Sequence, residues 1–152
     1  MTHKASDVAR WFLAHNRRVL VDGDAEYISN LKLQKLLYYA QGSFLAVKDN
    51  PLFPDDIVAW RHGPVVESVY HQYSCYGANG IDFDEDFDAN IFTDDENALL
   101  IQVYDIFGQY SAWKLRDMTH EEDPWRHTAS NGVIATSLIK DYFRREYLDD
   151  GD

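Results

Sequence analysis

Few side chains in this sequence stand at the spacings that catalysis requires. His71 and Cys75 lie one helical turn apart, where an imidazole could draw the proton from a thiol. No third group is placed to orient that imidazole, so Cys75 reads as an unreactive thiol. The histidines His3, His15, His62, His71, His120 and His127 match neither a His-Glu-x-x-His helix nor a zinc-ribbon spacing. Asp123-Pro124 falls between His120 and His127 and breaks any helical face the two would share. Asp82, Asp84, Asp86 and Asp88 alternate like the opening of a calcium loop, but the sixth-position Gly and the closing bidentate Glu are missing. No nucleophile elbow, phosphate loop or Gly-x-Gly-x-x-Gly turn occurs. The chain is therefore read as non-catalytic, with no catalytic, metal-binding or cofactor-binding residue and no cofactor. A metal-dependent hydrolase built on His62, His120 and Glu121 is kept as a lesser alternative.

Recognition chemistry is better represented. The run Trp60-Arg61-His62-Gly63-Pro64-Val65-Val66 couples an aromatic and two cationic or titratable groups to a Gly-Pro break. Gly63 can take positive φ, and Pro64 suits the first turn of a helix. The run predicts a short strand over Ile57 to Arg61 and a helix over Pro64 to Tyr73. Its plainest role is a tight turn; its functional role would be to present Trp60, Arg61 and His62. In Thr119-His120-Glu121-Glu122-Asp123-Pro124-Trp125, Thr119 is expected to cap the following turn with Glu122 as the capping-box partner.

The elements that must position these groups are mostly helices. Ser6 is read as capping a first helix through about Val21, ended by Asp22-Gly23-Asp24, with Val8, Phe12 and Val19 on one side. The clearest helix spans Leu31 to Lys48, capped by Ser29 or Asn30, with Leu33, Leu36, Leu37, Ala40, Phe44 and Val47 at the helical period. On its other face Gln34, Tyr38, Gln41 and Leu45 form a mixed polar and aromatic stripe beside Lys32 and Lys35. That stripe is read as an interface, with half-buried helix packing as the plainer alternative. Residues 77–94 form an acidic loop in which Ile81, Phe83 and Phe87 reach for the core or add an edge strand. Asp94 or Asp95 is expected to cap a helix to Tyr110, Ser111 a helix through Met118, and Thr136 to Leu148 a last helix burying Leu138, Ile139, Tyr142 and Phe143. The fold class is mainly α: one compact domain over residues 1–152 (core about 6–147, then a short acidic tail), with five to six helices and a minor β element.

Charge narrows the partners. Residues 62–113 contain ten acids and no Lys or Arg, and so carry −10 of the net −12. Phosphate neutralisation needs clustered cations, so direct nucleic-acid binding is disfavoured; an acidic surface favours a basic partner. No apolar run approaches the ~20 residues of a membrane span. Met1 to Arg10 shows no signal-peptide pattern, and the lone Cys75 can form no internal disulfide, so a cytoplasmic location is expected.

Together the motifs resemble a known family. Leu33-Gln34-Lys35-Leu36-Leu37-Tyr38-Tyr39-Ala40-Gln41-Gly42 looks like its signature helix. Ala59-Trp60-Arg61-His62-Gly63-Pro64-Val65-Val66 with Val69-Tyr70 looks like its central motif. Tyr110 to Leu115 and then Thr119 to Trp125 look like its third block. The chain, over roughly Val8 to Phe143, is similar to the Panacea domain, also called the SocA-like antitoxin or phage-associated GepA-like domain. It departs at His62, where an aromatic more often precedes Gly-Pro. The resemblance implies a prokaryotic or prophage antitoxin that neutralises a protein toxin by direct binding, without established catalytic residues. The partner-binding set then expected is Gln34, Lys35, Tyr38, Gln41, Trp60, Arg61, His62, Trp113, His120 and Trp125, with Gly63 and Pro64 shaping the corner. The toxin is expected to carry a basic active-site surface. An adaptor that presents a bound protein to a cellular protease is the main alternative, and a homodimer is left open.

Overall fold

The computed structural model describes residues 2–21 and 26–148. Among them are seven α-helices: α1 (Ala5–Val21), α2 (Asn30–Lys48), α3 (Glu67–Gln72), α4 (Asp94–Phe107), α5 (Ala112–His120), α6 (Asp123–Arg126) and α7 (Thr136–Phe143). β1 (Val58–Trp60) and β2 (Gly63–Val65) form a two-stranded antiparallel sheet. This is the mainly α fold with a minor β element that the sequence indicates. The helix beyond the expected six is α6, a four-residue turn carrying Pro124 near its start.

Everything packs around α2. Its leucines follow the helical period, but the positions between them are buried too, from Leu33 through Gly42. A helix enclosed on nearly all sides belongs at the centre of a bundle. It meets α1, α4, α5, α7 and the hairpin. Ser29 caps it by accepting a hydrogen bond from Lys32 N, and Asp49, at φ 63°, ends it in the left-handed region. Gly42 is where α7 crosses most closely: a Cβ there would lie 2.4 Å from the Phe143 ring. Val47, assigned to the leucine side by period, is instead exposed.

Several boundaries differ from the sequence reading, each for a local reason. Thr93, not Asp94 or Asp95, caps α4. Its side chain accepts from Glu96 N while the Glu96 carboxylate accepts from Thr93 N, a full capping box. That helix stops at Phe107, ahead of Gly108. Ser111 caps α5 as expected, accepting from Lys114 N. Pro64 lies in β2, not in a helix: the register pairs it with Ala59, and α3 starts only at Glu67. The backbone N–H of Val66 is taken by Gln34 Oε1 at 2.9 Å, which holds the chain extended before α3 begins. The last helix is regular only to Phe143 and continues as a π-helical turn, Arg144–Leu148. Ile139 and Phe143 are buried there, Leu138 and Tyr142 only partly. Asp22-Gly23-Asp24 and the acidic tail beyond Leu148 lie outside the described residues.

The acidic loop is fastened to α1. Ile81 and Phe83 are buried, Arg10 pairs with Glu85 at 3.5 Å, and Arg17 donates to the Phe83 carbonyl. Residues 131–134 add a further segment to the hairpin, through Asn131 N to Ala59 O, Ala59 N to Gly132 O and Ile134 N to Ile57 O.

Candidate functional site

The stripe on α2 faces inward. Gln34, Lys35, Tyr38 and Gln41 are each at most 1% exposed, so none of them forms part of an external face. Gln and Tyr read from spacing as a surface stripe are here internal braces, because each finds a partner that satisfies its polar atoms. Gln34 Nε2 donates to Asn30 Oδ1, and its oxygen holds Val66 N. Gln41 does the same for the loop after α2: Nε2 donates to Phe53 O, and its oxygen accepts from Leu52 N at 2.7 Å and from Phe53 N. Tyr38 and Tyr39 donate to the two oxygens of Glu122, at 2.8 and 2.9 Å. The signature helix thus ties the central motif and the third block to one frame.

Glu122 is not the capping-box partner expected of it. Thr119 lies inside α5 and donates to Arg116 O, while Glu122 precedes α6 without a side-chain cap. Its buried carboxylate accepts three hydroxyls, the third from Tyr147 at 2.5 Å. Burial raises its pKa, against the three hydrogen bonds that stabilise the anion.

Lys35 ends under the hairpin. Its Nζ donates to Pro64 O at 3.2 Å. Burial, and then the charge of Arg116, lower its pKa to about 7. The space above it is kept by Gly63, at φ 114°: a Cβ there would lie 2.6 Å from Lys35 Cε and 2.8 Å from Thr119 Oγ1. Gly63→Ala therefore meets both a backbone an L-residue rarely adopts and a packing clash. The expected loss is about 2–4 kcal/mol, read as a lower urea midpoint with an unchanged m-value.

On this frame stand the groups that do reach solvent. Arg61 and His62 form the exposed two-residue tip between β1 and β2. Neither has positive φ, so the reversal is completed at Gly63. From α5, Trp113 projects 58% exposed and meets His62 edge-on, with ring centres 5.5 Å apart. Arg116, one turn on, lies over the Trp113 ring at 4.8 Å and donates from Nε to His62 Nδ1. That bond leaves the other His62 nitrogen as the N–H of the neutral ring. His120 stacks on Trp125, with centres 4.0 Å apart, and Trp125 Nε1 donates to Trp60 O. The structure therefore brings together Trp60, Arg61, His62, Trp113, His120 and Trp125 of the expected set. Arg116 lies outside the set expected from sequence; its signal is the spacing Trp113, Arg116, His120 at i, i+3, i+7 on one helical face.

Arg61, Arg116 and Lys35 act on the two histidines of this face. Desolvation and the charges of Arg116, Arg61 and Lys35 lower the pKa of His62. His120 is lowered by desolvation, Arg116 and Lys35, opposed by the Arg61 backbone and by Asp117. Its Nε2 is the one buried side-chain polar atom without a hydrogen-bond partner among the described residues. Beside the tip opens a cleft of about 460 Å³ lined by Trp60, Arg61, His62 and Tyr70, with Leu31 and Gly77 among its other walls. No three His, Cys, Asp or Glu side chains converge as metal ligands among the described residues, so His62, His120 and Glu121 are not assembled as a metal site there. Cys75 is exposed and lies in a 3-10 turn beyond the end of α3, out of helical step with His71. Among the described residues no helix is long and apolar enough to cross a membrane.

Comparison with known proteins agrees with these blocks. The family model described as antitoxin SocA-like, Panacea domain, matches residues 33–126. This span runs from α2 to α6 and contains the hairpin and the whole exposed cluster. The chain is also 53% identical over 53 residues to antitoxin SocA of Caulobacter vibrioides strain NA1000 / CB15N, a stretch covering 35% of this chain and 27% of that relative. The alignment thus reaches well under two thirds of the relative's length. No solved structure matches the chain significantly.

Proposed function

This chain belongs to the SocA-like Panacea-domain antitoxin family, and from that premise we propose that it neutralises a cognate protein toxin by direct binding, without catalysis of its own. The observation that carries this reading is Trp113, a large aromatic left 58% exposed within the family-matched span and flanked by His62 and Arg116. Trp and Arg dominate the energetic centres of protein interfaces, because they bury large areas and desolvate well-defined hydrogen bonds. The binding face is the hairpin tip with α5 and α6, not the α2 stripe. The acidic loop over Asp82 to Asp88 is held against α1. Its charge supplies long-range steering toward cations on the toxin, and the aromatic face supplies the anchor.

Co-expression with the product of the adjacent reading frame tests the role. The native chain is expected to restore growth while the toxin's half-life stays unchanged. Loss of rescue on replacing Trp113 with Ala, at unchanged protein level, supports the face. A toxin half-life that shortens in its presence instead supports delivery to a protease.

A further inference from the structure

The cleft beside the hairpin tip has a chemistry at odds with the rest of the molecule. The chain carries a net −12, yet no carboxylate lines this cleft among the described residues. Its charged or chargeable walls are Arg61 and His62, its aromatic walls Trp60 and Tyr70, and its amides include Asn131. Arg61 is exposed and makes no ion pair among the described residues. Arg116 is bonded to the His62 wall through Nε, which turns the remaining His62 N–H outward as a donor. Asp117 occupies one Arg116 nitrogen at 3.1 Å and makes no ion pair with Arg61. His120, on the same face of α5, keeps a buried ring nitrogen unpartnered.

We infer that this cleft seats an acidic segment of the partner protein, one carboxylate received by Arg61 and His62 and a neighbouring apolar side chain laid against Trp60 and Tyr70. The inference deepens the antitoxin reading and rests on it for the identity of the partner, though not for the chemistry of the seat. Guanidinium matches a carboxylate through paired N–H donors, and an aromatic wall excludes water from that bond. A polynucleotide offers the same charge sign. It would meet only a few cations here and, beyond them, the repulsion of an acidic chain. Contact at the seat and steering at a distance therefore select opposite charges, so the partner presents an acidic segment close to a basic surface.

The test uses the whole chain and defined probes. Fluorescein-labelled peptides of about 12 residues, one with a single Glu among Ser, Leu and Gly, the other with Lys in its place, are titrated at physiological salt, which screens the chain's overall charge, beside an oligouridylate of equal length. The acidic peptide is expected to bind at least about tenfold more tightly than either competitor. Arg61→Glu is expected to weaken it about tenfold, and the Arg61→Glu, Arg116→Glu pair further. Thermal unfolding of each variant shows that the fold is kept, and Arg61→Glu alone, at an exposed tip, carries the test if the pair unfolds. RNA binding as tight as the acidic peptide, preference for the Lys peptide, or an Arg61→Glu variant within about twofold of native would each overturn the seat. Growth rescue, scored in parallel, separates the two readings: rescue without acidic-peptide binding overturns the seat alone, and peptide binding without rescue overturns the antitoxin role alone.

Discussion

Replacing Glu122 with alanine is expected to lower stability by about 3–5 kcal/mol, the largest effect of any single substitution considered. The carboxylate is 3% exposed and accepts the hydroxyls of Tyr38, Tyr39 and Tyr147. Removing it orphans two hydroxyls that are 0% exposed and opens a cavity at the junction of α2, α6 and the final turn. An unpartnered buried donor costs its full desolvation penalty, about 1–3 kcal/mol. Glu122→Gln is expected to cost much less, about 1–2 kcal/mol, because the amide keeps the shape and one acceptor while the hydroxyls can turn to accept. Denaturant unfolding of both variants checks the ordering. Equal, small losses would mean that the tyrosines reach water or other acceptors.

The second large effect is in the pH dependence. Unfolded, Lys35 keeps its proton to about pH 10.5; folded, it releases it near 7, chiefly because burial disfavours the ammonium. Between those values the unfolded chain binds one proton more than the folded chain, so stability rises with pH, by about 1.4 kcal/mol per unit. His15, His62 and His120 have lowered pKa values and so add a rise that ends by about pH 6.5. Tyr38, Tyr39 and Tyr147 have raised values and reverse the trend only above about pH 10. The window from about pH 7 to 9.5 is therefore dominated by Lys35, with Lys32, whose pKa burial also lowers, adding in the same direction, and native protein is expected to gain roughly 2–3 kcal/mol across it. Lys35→Met, of similar length and without the charge, is expected to lose most of that gain over the same window. Urea midpoints at several pH values read the difference directly, and a native curve as flat as the variant's would refute a charge-sensitive burial of Lys35.

Much of this architecture was legible in the sequence, and its failures share a cause. The helical period of Leu33 to Phe44 and the Ser111 cap are local signals, and both appear where expected. The Thr93 capping box is also local, but Asp94 and Asp95 beside it are equally good caps by residue type. Pro64 was misplaced because a fixed φ suits an edge strand as well as a first helical turn. What decides between them is the Gln34 side chain on Val66 N, a contact across 32 residues. The same holds for the stripe. Gln34, Tyr38 and Gln41 look like surface groups until Val66, Glu122 and the Leu52–Phe53 backbone supply their partners. In the site, Trp60, His62 and Trp113 could be named from type and motif. Arg116 has only its helical spacing from Trp113 and His120 to mark it, and the fold alone brings its guanidinium to His62 across 54 residues.

The central claim is that the exposed hairpin and α5 face, not the α2 stripe, holds the toxin. It is tested most directly by the affinity of the purified chain for the product of the adjacent reading frame, native against an Arg61→Ala, Trp113→Ala pair. Truncating two exposed anchors of one interface is expected to weaken binding about 30-fold or more, roughly 2 kcal/mol. The melting temperature should stay within about 2 °C, since neither side chain braces the core. A pair that binds as tightly as the native chain, at an unchanged melting temperature, would contradict the assignment of this face.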